Sequence, residues 1–214
     1  WRFEQVGDVV SIADLARLTL SALQADEDKW GVALMRVQAN LPDMLPGQNV
    51  TFLMFGDVEI INQVTPGSES DLRPMQAFQL RTGVNDAACA EAPQSGVLIQ
   101  TPEGGRKVNI TINGVDMAVG STVFFQSDME TSLAINTLEG HVSVSAAGQK
   151  VQIPAGSQIH IPIRRGGMVV EPRAIPIQLE AAPFESSVLQ NLPLSLLDHN
   201  IEIPTLPTPI GDES

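Results

Sequence analysis

The chain has 214 residues, of which 43% are hydrophobic, so it can form one large domain or two small ones with a sizeable core. Only 4% of the residues are aromatic and Tyr is absent, which leaves few stacking platforms for bases or sugars. Twelve Lys and Arg against 25 Asp and Glu give a net charge of −13, which argues against nucleic acid and anionic lipid as partners. A low charged fraction of 17%, with Thr, Asn, Gln and Ser carrying much of the polarity, favours a location outside the cell.

The sequence gives little information about membrane targeting or disulfide bonding. No run approaches the roughly 20 apolar residues that a membrane helix requires, so we expect no membrane insertion within this chain. The sequence starts at Trp1 rather than Met, which we interpret as a processed mature chain or a piece of a longer protein. The single cysteine, Cys89, is expected to be either a buried small hydrophobe or half of an intermolecular bridge.

The segment from Ser11 to Leu23 predicts an amphipathic helix. Ser11 can cap its N-terminus, and Asp14 suits the positive end of the helix dipole. Leu18 falls outside the apolar stripe, which indicates contact with a second neighbour or a second subunit. The acidic residues 26–28 end the helix. The positions with helical spacing are Ile12, Leu15, Ala16, Thr19, Leu20 and Leu23.

From Trp30 onward the apolar period changes from helical to alternating, which predicts successive strands separated by Gly, Pro and Asn turns. The strongest signal is a hairpin in which two alternating segments flank Asn113-Gly114, a preferred type I′ turn. Together the strands predict a mainly β fold, either a multi-stranded antiparallel sandwich or a solenoid-like domain. The predicted strands are Val32 to Gln38, Val50 to Phe55, Val58 to Gln63, Met75 to Arg81, Gly96 to Thr101, Val108 to Ile112, Val115 to Val119, Leu133 to Leu138, His141 to Ser145, Val151 to Ile153, Ile159 to Ile163 and Met168 to Val170.

Beyond Pro172 the proline content rises, and prolines this dense argue against a central strand. The segment from Asn191 to His199 can form a short helical turn, and the residues after it are typical of an extended tail. We therefore divide the chain into three parts. These are an N-terminal arm and helix (1–28), a β domain (29–182, with halves at 29–95 and 96–171) and a Pro-rich C-terminal tail (183–214).

The strands at about residues 96–165 resemble those of FecR-like domains. The resemblance rests on Thr101-Pro-Glu-Gly104, on Thr137-Leu-Glu-Gly-His-Val142 and on Val151-Gln-Ile-Pro-Ala-Gly156. Residues 41–58 are also similar to a stretch that precedes such domains in predicted extracellular proteins of filamentous, Chloroflexus-like bacteria. The resemblance implies a stack of short strands outside the cytoplasmic membrane, in a family whose members sense or scaffold and do not catalyse.

No combination of residues predicts catalysis or metal binding. His141 and His160 alternate with apolar residues along their strands, so both are expected to face solvent, and with His199 and one cysteine they lack the spacing of a zinc site. The glycines at 104–105 precede a strand rather than the helix of a phosphate loop. The acidic groups at 26–28 and at Asp57 and Glu59 are interpreted as solvated turns. We expect no enzyme activity, no cofactor and no metal.

The two ends of the chain carry the remaining information about function. An extended terminal segment can pair with the sheet edge of a neighbouring subunit, and such contacts propagate as filaments, although a plain linker role explains the same ends. We therefore expect a non-catalytic extracellular structural or protein-interaction domain, with other protein subunits, including copies of itself, as partners. It can be a self-assembling subunit of a cell-surface filament, and the alternative is a ligand-binding or sensory module of a surface protein. The candidate subunit contacts are Trp1, Phe3, Val6, Val9, Leu18, Ile203 and Leu206.

Overall fold

The protein is described from a computed structural model. It covers residues 12–24, 26–27, 29–38, 49–64, 75–83, 91–104, 107–128, 131–146, 148–164, 168–169, 179–183 and 186–204. Within these ranges the chain is almost entirely β-structure. The strands are β1 (Arg17–Leu20), β2 (Val32–Gln38), β3 (Asn49–Phe55), β4 (Val58–Asn62), β5 (Ala77–Thr82), β6 (Gly96–Gln100), β7 (Val108–Ile112), β8 (Val115–Val119), β9 (Thr122–Ser127), β10 (Ser132–Thr137), β11 (His141–Ala146), β12 (Gln149–Pro154), β13 (Ser157–Arg164), β14 (Met168–Val169) and β15 (Ala182–Pro183).

The strands form two sheets. The first sheet has seven strands in the order β1-β4-β5-β7-β8-β11-β12. The second has eight, in the order β14-β13-β10-β9-β6-β3-β2, with β15 beside β13. Neighbours are antiparallel except for β5 and β7, which run parallel. This arrangement agrees with a sandwich among the predicted alternatives, because the inner faces of both sheets contribute to one apolar core.

Along the strands, apolar side chains at alternate positions point between the two sheets and form the core. In β3, Phe52 and Met54 point inward, and the ring of Phe52 meets that of Phe78 on β5 of the other sheet edge-on, with centroids 6.2 Å apart. In the hairpin, Val108, Ile110 and Ile112 are buried, while the residues between them are more exposed. The predicted strands therefore lie where the apolar alternation indicated, with ends that coincide or differ by at most two residues.

The predicted N-terminal helix is wrong. A single 3-10 turn spans Ile12–Asp14, and the chain then extends into β1, which pairs with β4 at the edge of the first sheet. Exposed and half-buried residues alternate along β1, so that Leu18 and Leu20 pack against the core. Isolated helices of this length are marginal, whereas pairing with β4 satisfies the backbone on one side and still buries the leucines.

Two other strands were not anticipated. β9 is buried at five of its six positions, so it lacks the alternation by which half-exposed strands are recognised. β15 has two residues and one of them is proline, which is tolerated because the strand lies at an edge. In the C-terminal region, the short 3-10 helices are Ser186–Leu189 and Leu194–Leu196, the second of which lies within the segment predicted to form a helical turn. Among the described residues, no helix has the length and apolar character needed to cross a bilayer.

The hairpin turn also holds the first sheet together. Asn113 and Gly114 have φ angles of 51° and 76°, as a type I′ turn requires. The Asn113 side chain accepts a hydrogen bond from the Leu80 N–H (2.8 Å) and donates to the Leu80 carbonyl oxygen (3.0 Å) and Ser127 Oγ (2.9 Å). The parallel pairing of β5 with β7 stops at Ile112. Beyond this point the buried side-chain amide of Asn113 makes the hydrogen bonds to Leu80 that a neighbouring strand would otherwise make.

We expect Asn113→Ala to lower the free energy of unfolding by about 2–4 kcal/mol, because it leaves two buried backbone groups of Leu80 unpaired. Urea denaturation measures the change. The matched control is Asn109→Ala on the exposed face of β7, for which we expect a change within about 0.5 kcal/mol. Equal stability of the two variants would contradict this role for Asn113.

Candidate functional site

The outer face of the second sheet is apolar and is covered by the C-terminal part of the chain. Leu53 and Phe55 on β3, Leu98 on β6 and Phe124 on β9 are fully buried, although they alternate with the inward-facing core residues. Residues 186–204, which we name the strap, lie over this face. The strap residues that pack there are Val188, Leu189, Leu192, Leu194, Leu197, Ile201 and Ile203.

Aromatic rings form the centre of this outer cluster. The rings of Phe55 and Phe124 are stacked, with centroids 5.8 Å apart and an interplanar angle of 7°. Trp30, which precedes β2, meets Phe55 at 6.1 Å. Each side chain of this size stabilises the fold by about 1.5–3 kcal/mol when buried, so the strap shields a costly apolar surface from water.

The strap begins and ends at the same corner of the sandwich. Just before it, Pro183 of β15 pairs with Ser157 at the start of β13. At its end, Pro204 lies against Gly156, where an added Cβ would be 3.6 Å from the proline. Between these points Asp198 reaches β2 and β3 at the far edge of the sheet. The strap therefore crosses the sheet and returns.

A buried glutamine fixes the returning part of the strap. The Gln100 Oε1 accepts hydrogen bonds from the N–H groups of Asp198 (2.9 Å) and His199 (3.2 Å). Its Nε2 donates to the His199 carbonyl oxygen (3.0 Å) and to Thr122 Oγ1 (3.2 Å). Because Gln100 is 1% exposed, these backbone contacts form out of water and determine where the strap lies.

Side chains of the strap extend this polar row in both directions. The Asp198 carboxylate binds the Arg36 guanidinium of β2 (2.7 Å) and accepts a hydrogen bond from Thr51 Oγ1 of β3. On the other side, His199 Nε2 lies 3.1 Å from Glu139 Oε2, which also accepts a hydrogen bond from Thr122 Oγ1 (3.0 Å). Polar contacts thus hold the strap from β2 to the turn that follows β10.

Burial raises the pKa of the Asp198 carboxyl, but hydrogen bonds from Thr51 and Arg36, together with the charge of Arg36, outweigh it. The net effect lowers the pKa below its ordinary value of 3.8. A carboxyl with a lowered pKa stabilises the folded contact fully above its ordinary pKa, and this stabilisation disappears as the pH falls through the lower folded value.

Beside the strap, the edge of the second sheet is apolar and exposed. Val32 and Leu34 of β2 are 43% and 41% exposed, and Leu196 of the strap is 45% exposed. No other large hydrophobic side chain of the described residues is exposed to this degree. Leu196 lies two residues before Asp198, and Asp198 binds Arg36, which lies two residues after Leu34 on β2. No strand in the described ranges pairs with the outer side of β2.

Three of the carboxylates considered for chemistry, Asp57, Glu59 and Glu27, are engaged in ion pairs. Arg81 on β5 binds Asp57 (3.0 Å) and Glu59 (3.5 Å), and the hydrogen bond that Arg81 donates to Asp57 raises the pKa of Arg81 despite its partial burial. Glu59 also binds Arg17 of β1 (2.8 Å), and Glu27 binds Lys29 (2.6 Å). In the described part of the chain, no three His, Cys, Asp or Glu side chains come together as a metal site would require.

Of the residues predicted to contact other subunits, two lie within the described ranges, and both are half-buried. Leu18 is half-buried and packs against the main core, and Ile203 is half-buried and packs in the outer cluster. Trp1, Phe3, Val6, Val9 and Leu206 lie outside the described residues, as does Cys89. His160 is exposed and His141 half-buried. Gln100 and Asp198 look like ordinary polar residues in the sequence and were not predicted, although the frequent leucines of the Pro-rich tail could have indicated packing.

Comparison with known proteins adds little. No family model and no curated protein matches the chain. Two crystal structures of a candidate anti-sigma factor from Parabacteroides distasonis, at 2.50 and 1.65 Å resolution, are distantly similar to it, each with 10% identity. Their TM-scores are 0.43 and 0.44, over 78% and 79% of this chain and 59% and 60% of theirs. The chain therefore spans about three fifths of those proteins, and at this level of similarity no function is transferred.

We expect Gln100→Ala to loosen the strap, because four hydrogen bonds are lost from a buried site. Hydrogen exchange in residues 186–204 should accelerate, and the free energy of unfolding should fall by about 1–3 kcal/mol. Gln126→Ala is the control, because Gln126 lies on the same sheet but bonds to Gln94 and Ser95. Unchanged exchange in the strap of the Gln100 variant would contradict this role.

Acid should weaken the strap through Asp198. We expect hydrogen exchange of residues 186–204, corrected for its intrinsic pH dependence, to accelerate as the pH falls below the ordinary carboxyl value of 3.8. In Asp198→Asn the exchange should already be faster at neutral pH, and its acid dependence should be smaller. The same acid dependence in both proteins would assign the effect to other carboxyl groups.

Proposed function

We propose that this chain is a non-catalytic structural or protein-interaction domain that works outside the cell and assembles with other protein subunits, including copies of itself. The observation that carries this proposal is the edge strand β2, on which the apolar side chains of Val32 and Leu34 are exposed. Exposed strand edges with apolar side chains are ready templates for pairing with another chain.

The composition of β2 supports an interaction role. Its sequence, Val-Ala-Leu-Met-Arg-Val-Gln, has no lysine and no proline, which are residues that commonly prevent edge-to-edge association. The edge strand β12 of the other sheet differs, since it carries Lys150 and Pro154 and half of its residues are polar. These two edge strands are thus chemically different, and of the two β2 is the one suited to contact.

The low charged fraction of the whole chain supports the extracellular part of the proposal, as do its Thr-, Asn-, Gln- and Ser-rich polar surfaces. The FecR-like character of residues 96–165 stays a prediction. A surface filament would require two different contacts on each subunit, and the terminal segments 1–10 and 205–214 are the candidates for the second one.

Sedimentation velocity over a wide range of concentrations tests the proposal, with negative-stain microscopy of the same samples. We expect species larger than a monomer, whose share grows with concentration, and short fibres if both contacts are present. A monomer at every concentration, with no assemblies in the micrographs, would contradict self-assembly.

A further inference from the structure

We propose that β2 pairs antiparallel with β2 of a second copy of this chain, about a two-fold axis perpendicular to the second sheet. This inference rests on the proposed function and adds the surface and its occupant. The pairing joins two second sheets edge to edge into one continuous sheet, and each copy contributes the exposed side chains of Val32 and Leu34.

The backbone of β2 permits this pairing. β2 lies at the end of the second sheet and is bonded on one side to β3, so alternate N–H and C=O groups on its other side have no strand partner in the described ranges. A second copy running antiparallel offers the same number of donors and acceptors in complementary positions. A two-fold axis perpendicular to the sheet keeps the outer face of both copies on the same side.

The side chains of β2 are compatible with those of a second, antiparallel β2. Val32, Leu34 and Arg36 share the outer face, because they are in register with Phe55, Leu53 and Thr51 of β3. In a register that places Leu34 opposite its own counterpart, Val32 lies opposite Arg36. On the inner face, Ala33 then lies opposite Met35. No like charges face each other in this register, and apolar contacts form on both faces of the joined sheet.

Charge favours this segment over the rest of the surface. The chain has a net charge of −13, so two copies repel each other over most approaches. β2 carries no carboxylate, and its one charged residue, Arg36, is bound to Asp198 at 2.7 Å. Two β2 edges can therefore approach without adding repulsion. Since the remaining repulsion is screened by salt, the dimer should become tighter as ionic strength rises.

A substitution at the centre of the edge tests the pairing in the full chain. We expect Leu34→Lys to weaken the dimer roughly tenfold or more in sedimentation velocity, because it places two ammonium groups opposite each other. Leu34 is 41% exposed, so the fold should tolerate the change. The control is Gln152→Lys on the exposed face of β12, which adds the same charge at the edge of the first sheet and should leave the dimer unchanged.

Because Leu34→Lys and Gln152→Lys add the same charge, comparing the two variants separates a local effect at β2 from a general effect of net charge. Both substitutions reduce the net negative charge, so a general electrostatic effect would strengthen association in both variants. Loss of the dimer in Leu34→Lys alone therefore locates the contact at β2. An unweakened dimer in Leu34→Lys would overturn the β2 pairing and leave the proposed self-assembly intact.

Hydrogen exchange gives a second measurement that needs no variant. Amides in residues 32–38 should exchange more slowly at concentrations at which the protein is dimeric than at concentrations at which it is monomeric. Deleting residues 1–10 should leave the dimer and this protection in place. Loss of the dimer on that deletion would assign the edge to the N-terminal arm of a neighbour and overturn the two-fold pairing. A monomer at every concentration would overturn both the pairing and the self-assembly.

Discussion

Strands β3, β6 and β9 carry large apolar side chains on both faces of the second sheet. Their inner faces meet the first sheet, while Leu53, Phe55, Leu98 and Phe124 point the other way and would face water without a cover. The strap supplies that cover from the chain itself. Since each such side chain is worth about 1.5–3 kcal/mol when buried, the Pro-rich C-terminal region becomes part of the folded domain.

The polar row determines how this cover is oriented. Apolar contacts alone are non-directional and would allow a strap to slide across the sheet. Gln100 bonds to backbone groups at two successive strap residues, and Asp198 bonds to two adjacent strands, so one position is selected. The strap then leaves β2 and its exposed leucine uncovered. The edge proposed for interaction is thus left exposed where the strap turns back.

Much of the β-structure was predictable, because half-exposed strands bring their alternation and turn residues with them. The Asn113-Gly114 hairpin lies at its predicted residues. The failures have particular causes. β9 is buried at nearly every position and shows no period. In the region of β1, Leu20 fits both a helical stripe and an alternating strand, whereas Leu18 fits only the strand, and pairing with β4 places both leucines against the core.

By itself the sequence determined the fold class, the position of most strands and the acidic, sparsely charged surface, since these depend on local periodicity and composition. Only the tertiary structure decided that the tail crosses a sheet, that Gln100 anchors it and that β2 is the last strand of the second sheet in the described part of the chain. Those features depend on contacts between residues far apart in the chain, such as Arg36 with Asp198. The local sequence pattern does not predict such contacts, because they depend on the packing of the complete sandwich.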